Sequence, residues 1–284
     1  MKIAFWSGEK QVDTAFHMSL VACASVSISS LSIAVASGGY NGKELEKSFS
    51  GKRKDSVLKQ PVDREYENTG QAILAAEQQE YFLAAGLDCL LGKQKEELTK
   101  QVVRANMQQI IKERMYYLPT SRKREQEWWQ EDSFFVRLKQ VMDAVEGCFD
   151  VIFIDCGNRK DDFTQSVLQE ADVCVLNMNQ ESELIGDYYR NPPGFSRKVF
   201  FLVGNYFEDG LYTRKNLERL YRVGENMLGA IPYNLQMKEA ARTGRTEAEV
   251  KKHMTEHGGG RNFEFAQELI RTTKLILRMA GIEV

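Results

Sequence analysis

Apolar residues along this chain follow two kinds of spacing. Short unbroken runs occupy Lys2 to Ser7, Leu31 to Ser37, Met115 to Pro119, Val151 to Cys156, Val173 to Asn177 and Val199 to Asn205, with Gly229 to Pro232 as a further one. Such runs mark strands covered on both faces, because a solvent-facing side would impose alternation with polar residues. Between them the spacing turns helical: Phe134, Leu138, Val141, Met142 and Val145 share a helix face just before the Val151 run. Ala15 to Ser25 is apolar with small residues, which suits a helix lying close on a sheet. Near the end, Ala266, Leu269, Ile270, Thr273, Ile276, Leu277 and Ala280 face one way, with Glu264, Glu268, Arg271, Lys274 and Arg278 opposite. Strands alternating with helices predict an α/β fold, a doubly wound, mainly parallel sheet flanked by helices.

The 284 residues suffice for one large core, so residues 1–284 are read as a single α/β domain. From Gly38 to Gly70 the chain is polar and charged, which predicts a loop excursion with one short helix around Lys43 to Phe49. A net charge of −2 draws the protein neither to nucleic acid nor to an anionic membrane. The basic runs Lys52-Arg53-Lys54 and Arg122-Lys123-Arg124 are read as solvated loops, being too short for the many contacts DNA affinity needs. DNA is therefore disfavoured as a partner. Cys23, Cys89, Cys148, Cys156 and Cys174 are scattered, mostly in apolar stretches, which fits reduced core thiols and a cytoplasmic setting. Gly8, Glu9, Lys10 and Asp13 interrupt the N-terminal apolar stretch, so no signal peptide is read there, and no run is long enough to span a bilayer.

Some features invite functional readings and have plainer ones. The terminal helix mixes acids and bases on its polar face, so it is expected to pack on its own sheet instead of lying on a membrane. Trp128 and Trp129 are adjacent and so point apart on a helix, one to the core and one to the surface. His253 and His257 stand four apart without a His-Glu-x-x-His pattern, and are expected as exposed polar residues, not metal ligands.

The candidate chemistry lies at strand ends. Ile3-Ala4-Phe5-Trp6, the turn Ser7-Gly8-Glu9-Lys10-Gln11-Val12-Asp13-Thr14 and the following helix make the strand–turn–helix context of a phosphate loop. In such a loop glycines let backbone N–H groups close on phosphates, a lysine reaches the outer phosphates, and a Thr or Ser hydroxyl holds magnesium. This turn is instead charged and nearly free of glycine. Phe149 to Gly157 is an apolar strand ending in Asp155, which is either a magnesium-holding acid or an ordinary strand-end or capping residue.

Downstream come Glu170-Ala171-Asp172 before the Val173 strand, a strand ending in Gly204-Asn205, and Gly229-Ala230-Ile231-Pro232-Tyr233 followed by Glu239-Ala240-Ala241 and Gly244. This serial arrangement resembles the MinD/ParA family of deviant phosphate-loop ATPases over nearly the whole chain, the Ile-Pro-Tyr segment being its most specific piece. The resemblance implies that Asn205 is the residue hydrogen-bonding adenine and Pro232 the proline lining the base pocket. An amide offers a base edge both donor and acceptor, which suits that role, although Asn205 and Pro232 also read as an ordinary strand-end Asn and loop Pro.

Set against the family loop Lys-Gly-Gly-x-Gly-Lys-Thr-Thr, with Ser7-Gly8 at the strand end, Glu9 falls on the first lysine, Asp13 on the third glycine and Thr14 on the second lysine. Ala15 and Phe16 then take the threonine positions. A shift of one places Asp13 on the second lysine and Thr14 on the magnesium threonine, and the sequence alone leaves both alignments open. Either way, a carboxylate about 4 Å from a phosphate oxygen is repelled by roughly 4 kcal/mol at an effective dielectric near 20. The family also keeps an aspartate at the end of the second strand, whereas Ile33 to Asn41 contains no acid.

These losses imply a degenerate member with no nucleotide cofactor. Gly8, Lys10, Thr14, Ala15, Asp155, Asn205 and Pro232 would then mark a vestigial nucleotide site. Lys2-Ile3-Ala4-Phe5-Trp6-Ser7 and Ala85-Gly86-Leu87-Asp88 followed by Leu90 are similar to the TadZ/CpaE-type proteins of tight-adherence (Flp) pilus systems, although those usually carry a receiver-like domain ahead of the loop. That resemblance implies a non-catalytic localisation or scaffolding protein with partners in a pilus or secretion machine, homodimer formation, and placement in the cytoplasm or at the inner face of the membrane. Glu9 implies that any dimer uses contacts other than the family's trans-acting lysine. The alternatives are an ATPase with an unorthodox grip through Lys10, Thr14 and Asp155 with ATP and magnesium, and a DNA partition protein.

Overall fold

The computed structural model describes residues 1–38, 42–50, 86–121, 133–181, 183–190, 198–256 and 260–284. Its apolar runs form one eight-stranded sheet in the order β3-β4-β2-β5-β1-β6-β7-β8. The strands are β1 (Lys2–Trp6), β2 (Ile33–Ser37), β3 (Gln108–Ile111), β4 (Met115–Tyr117), β5 (Val151–Gly157), β6 (Val173–Met178), β7 (Val199–Tyr206) and β8 (Leu228–Pro232). All neighbours pair in parallel except β3 with β4. The central strand β1 sets Ile3 opposite Phe153 on one side and Val173 on the other.

Helices cover both faces, as the continuous apolar runs require. One face carries α1 (Thr14–Ile28), α2 (Lys43–Ser50), α9 (Leu235–Arg242), α10 (Thr246–Thr255) and α11 (Arg261–Met279). The other carries α3 (Leu87–Leu91), α4 (Lys100–Ala105), α5 (Phe134–Glu146), α6 (Asp162–Glu170), α7 (Leu184–Arg190) and α8 (Arg214–Tyr221). In α1 the side chains of Met18, Leu20 and Val21 are fully buried, and burial of each is worth ~1.5–3 kcal/mol by transfer. That outweighs the weaker helix preference of Ser19 and Ser25, whose hydroxyls donate to the carbonyls of Phe16 and Val21 at 2.7 Å.

The terminal helix packs its predicted face inward: Ala266, Leu269, Thr273, Ile276, Leu277 and Ala280 are buried. It comes close to β8 because Gly229 has no side chain, and a Cβ there would sit 2.7 Å from Thr272. The Thr272 hydroxyl donates to the Ala230 carbonyl and accepts from the Ala230 N–H. The expected short helix near Lys43 is present as Lys43–Ser50, while residues 39–41 and 51–70 of the predicted excursion lie outside the described residues. The basic runs at 52–54 and 122–124, Trp128-Trp129, Ala85 and His257 lie outside them too. Among the described residues no helix is long and apolar enough to cross a membrane.

Two features depart from the sequence-based picture. The antiparallel edge strand β3 was not anticipated, because Gln108-Gln109-Ile110-Ile111 is short and half polar. It is folded back on β4 by a turn with Glu113 at φ 60°. His253, expected at the surface, is 1% exposed. It continues the buried stripe Thr246, Val250, His253 on α10, meets the Phe265 ring edge-on at 5.9 Å, and has Nε2 3.3 Å from the Gln236 amide oxygen.

Candidate functional site

The carboxyl ends of β1, β5, β7 and β8 gather the residues singled out from the sequence. The turn after β1 is anchored at its base, where Ser7 N–H donates to the Gly157 carbonyl at 2.8 Å. Glu9 N–H donates to Ser7 Oγ at 3.1 Å, and the Glu9 carboxylate accepts from Asn179 N–H at 3.3 Å. Gln11 adopts φ 64°, a left-handed conformation that a loop glycine would take without strain.

Asp13 precedes the first turn of α1 but its side chain caps none of the helix N–H groups. It accepts instead from Lys238 Nζ of α9 at 3.1 Å. The Lys238 ammonium also lies 5.3 Å from the ring centre of Tyr233 and 6.0 Å from that of Phe16. The turn's two carboxylates are thus held by the protein's own donors.

Asp155 is 8% exposed at the end of β5. It accepts from Gly157 N–H at 3.0 Å and has the Thr14 hydroxyl as a polar neighbour. Burial pushes its carboxyl above the usual carboxylate range, against the pull of these donors and of the Arg159 charge. Thr14, Ala15 and Asp155 line a cleft of about 310 Å³ between the start of α1, α2 and α9, together with Asp13, Lys47, Lys238 and Arg242.

The other predicted residues are placed differently. Lys10 is exposed in the turn and Gly8 lies beside Trp6 and Leu184, and neither lines the cleft. Asn205, at φ 50°, and Pro232 come together because β7 and β8 pair Tyr206 with Pro232, and Tyr233 N–H donates to the Tyr206 carbonyl at 2.9 Å. They do not line the cleft either. Next to Asn205, Gly204 receives the His17 ring, and a Cβ there would sit 1.9 Å from His17 Cε1. Phe207 and Tyr233 stack beyond this edge at 5.3 Å and 20°, both substantially exposed.

His17 and Lys238 are the site residues that sequence reasoning passed over. His17 is wholly buried, with Asn177 as its polar neighbour, yet neither ring nitrogen has a well-formed hydrogen bond. Desolvation lowers its pKa to about 4. Lys238 gave a faint signal, a basic residue just after the Ile-Pro-Tyr segment. Among the described residues no group of three or more His, Cys, Asp and Glu side chains could hold a metal ion.

Glu9 and Asp13 set carboxylates in the turn, Lys238 is engaged by Asp13, and Asp155 is buried with its carboxyl raised.

No family model and no curated protein sequence matches the chain. Solved structures do. A ParA family ATPase from Chlorobium tepidum TLS superposes with a TM-score of 0.67 at 11% identity, covering 96% of each chain. The septum site-determining protein MinD of Pyrococcus horikoshii OT3, complexed with Mg-ADP, gives 0.59 at 15% identity, covering 99% of this chain and 97% of that one. MinD of Aquifex aeolicus in its complex with MinC gives 0.61 at 13% identity, covering 100% and 97%. The sheet order, the helices on both faces and these superpositions agree: the chain has the phosphate-loop fold of the MinD and ParA ATPases.

Proposed function

We propose that this chain is a MinD/ParA-like localisation or scaffolding protein that does not hydrolyse nucleotide, and that acts by binding protein partners. The observation carrying this is the Asp13–Lys238 pair. Thr14 opens α1 with its hydroxyl beside Asp155, which supports the alignment placing Asp13 on the family's second lysine. On that alignment Asp13 replaces the phosphate-binding cation, and its charge is met from α9. Glu9, Gln11 and the lack of an acid from Ile33 to Asn41 remove further parts of a triphosphate grip.

The partners are proposed to belong to a tight-adherence-type pilus or secretion machine, at the inner face of the membrane, with the chain acting as a homodimer. The similar Aquifex aeolicus MinD is seen with a protein partner, MinC. The exposed Phe207, Leu211, Tyr212, Tyr233 and Leu235 offer apolar contact area for such a role. Calorimetry with ATP and ADP in the presence of magnesium tests the reading, with no saturable heat expected. Micromolar binding with turnover that disappears in Asp155→Ala would replace it with an ATPase of unorthodox grip, for which Lys47, Lys238 and Arg242 around the cleft are the supporting cations. A salt-dependent shift of duplex DNA at low micromolar protein would instead favour partition.

A further inference from the structure

The other face of the sheet holds a second pocket at the carboxyl end of β1, independent of the proposed scaffolding role. It measures about 350 Å³ and lies between Trp6, the segment after β5, and α6. That volume falls in the range of small-molecule sites, roughly 300–1,000 Å³, and α/β folds take ligands at this end of the sheet.

Its lining has a definite chemistry. Trp6 and Leu168 supply apolar surface, and the Trp6 indole N–H is tied to the Arg159 carbonyl at 2.7 Å, which fixes the ring. Arg159 and Lys160 bring two positive charges, Gln165 and Gln169 bring amides, and no carboxylate lines the pocket. Arg159 is balanced in part by Asp161 at 3.7 Å. The Lys160 ammonium has no ion pair or side-chain hydrogen bond among the described residues.

Thr164 adds the second observation. It is 1% exposed, its N–H is taken by Asp161 at 2.7 Å, and its hydroxyl has no partner among the described residues. Thr164 lines the pocket, and a buried hydroxyl left unpaired is costly. A fixed aromatic wall, excess positive charge and an unpaired donor are complementary to one kind of molecule.

We propose that this pocket binds a small planar organic anion, its flat body against Trp6 and Leu168 and its negative group toward Lys160 and the Thr164 hydroxyl. An aromatic carboxylate and a nucleoside monophosphate share this chemistry.

Calorimetric titration of the full chain with benzoate, AMP and neutral benzamide tests the proposal and separates the two sources. One of the anions is expected to bind saturably while benzamide does not. Lys160→Ala should weaken that binding about tenfold or more, as loss of a charge-assisted hydrogen bond does, with an unchanged circular dichroism spectrum. Thr164→Val, nearly isosteric, should weaken it less. Trp6→Leu should abolish it, but because Trp6 is packed into the fold, the Lys160 and Thr164 variants are the deciding ones. The proposal is overturned if neither anion saturates, if benzamide binds equally well, or if affinity is unchanged in Lys160→Ala. AMP binding that is lost in Lys238→Ala and kept in Lys160→Ala would place the ligand in the other cleft, which also overturns it.

Discussion

His17 should make the protein lose stability on mild acidification. The imidazole lies at 0% exposure beneath Gly204, without a well-formed hydrogen bond on either nitrogen. Desolvation is the main cause holding its pKa near 4 against an ordinary 6.5, with Lys238 adding to the effect and Asp13 opposing it. The unfolded chain therefore takes up this proton as pH falls through 6.5, and the folded chain refuses it until about pH 4. Over that window the unfolded state binds more protons, so stability falls with pH. At about 1.36 kcal/mol per pH unit the full loss is about 3 kcal/mol. Asp155 and Glu268, whose carboxyls burial raises, have the opposite sign, since the folded state takes up their protons first. The readout is accordingly the difference between wild type and His17→Leu in urea unfolding, measured between about pH 7 and pH 4. That difference should shift by about 3 kcal/mol in favour of the variant at the acid end. A difference independent of pH would show that the ring titrates normally in the fold, and the burial argument would be refuted.

The packing sets three other outcomes. Gly204→Ala drives a methyl to 1.9 Å from His17 Cε1. It should cost about 1–3 kcal/mol or more by overpacking, and an unchanged melting temperature would contradict the His17 placement. Lys2, 5% exposed, sits 3.1 Å from Asp143, 3.3 Å from Glu146 and 3.4 Å from Glu170. Lys2→Met should destabilise by about 1–2 kcal/mol after discounting the partly exposed carboxylates, and by less in high salt, as urea titrations at two ionic strengths would show. Lys238→Ala breaks a half-exposed pair and should change stability by under about 1 kcal/mol. A much larger loss in thermal unfolding would mean that Lys238 holds the fold and not merely the charge of the turn.

Much of this architecture was legible because it follows from burial on both faces. Val151 to Ile154 or Val173 to Leu176 leaves no polar position for solvent, which is the mark of an interior parallel strand. β3 escaped notice because an edge strand needs no such run, and Gln108-Gln109 resembles a loop. His253 was misplaced because its stripe on α10 is completed by Thr246, a residue that reads as polar. In the site, Asp155 was visible as an acid closing an apolar strand. Which side chain of the turn comes beside Asp155 was not, since that depends on how α1 is set against β5. The Asp13–Lys238 pair joins residues 225 positions apart, and no local pattern announces a contact made only when α9 returns to the start of α1.

Isothermal titration of the full chain with ATP and magnesium decides whether the turn after β1 grips a nucleoside triphosphate. No saturable heat at millimolar nucleotide, and no phosphate release above buffer, is the predicted result. Micromolar binding accompanied by turnover, both lost in Asp155→Ala, would contradict it.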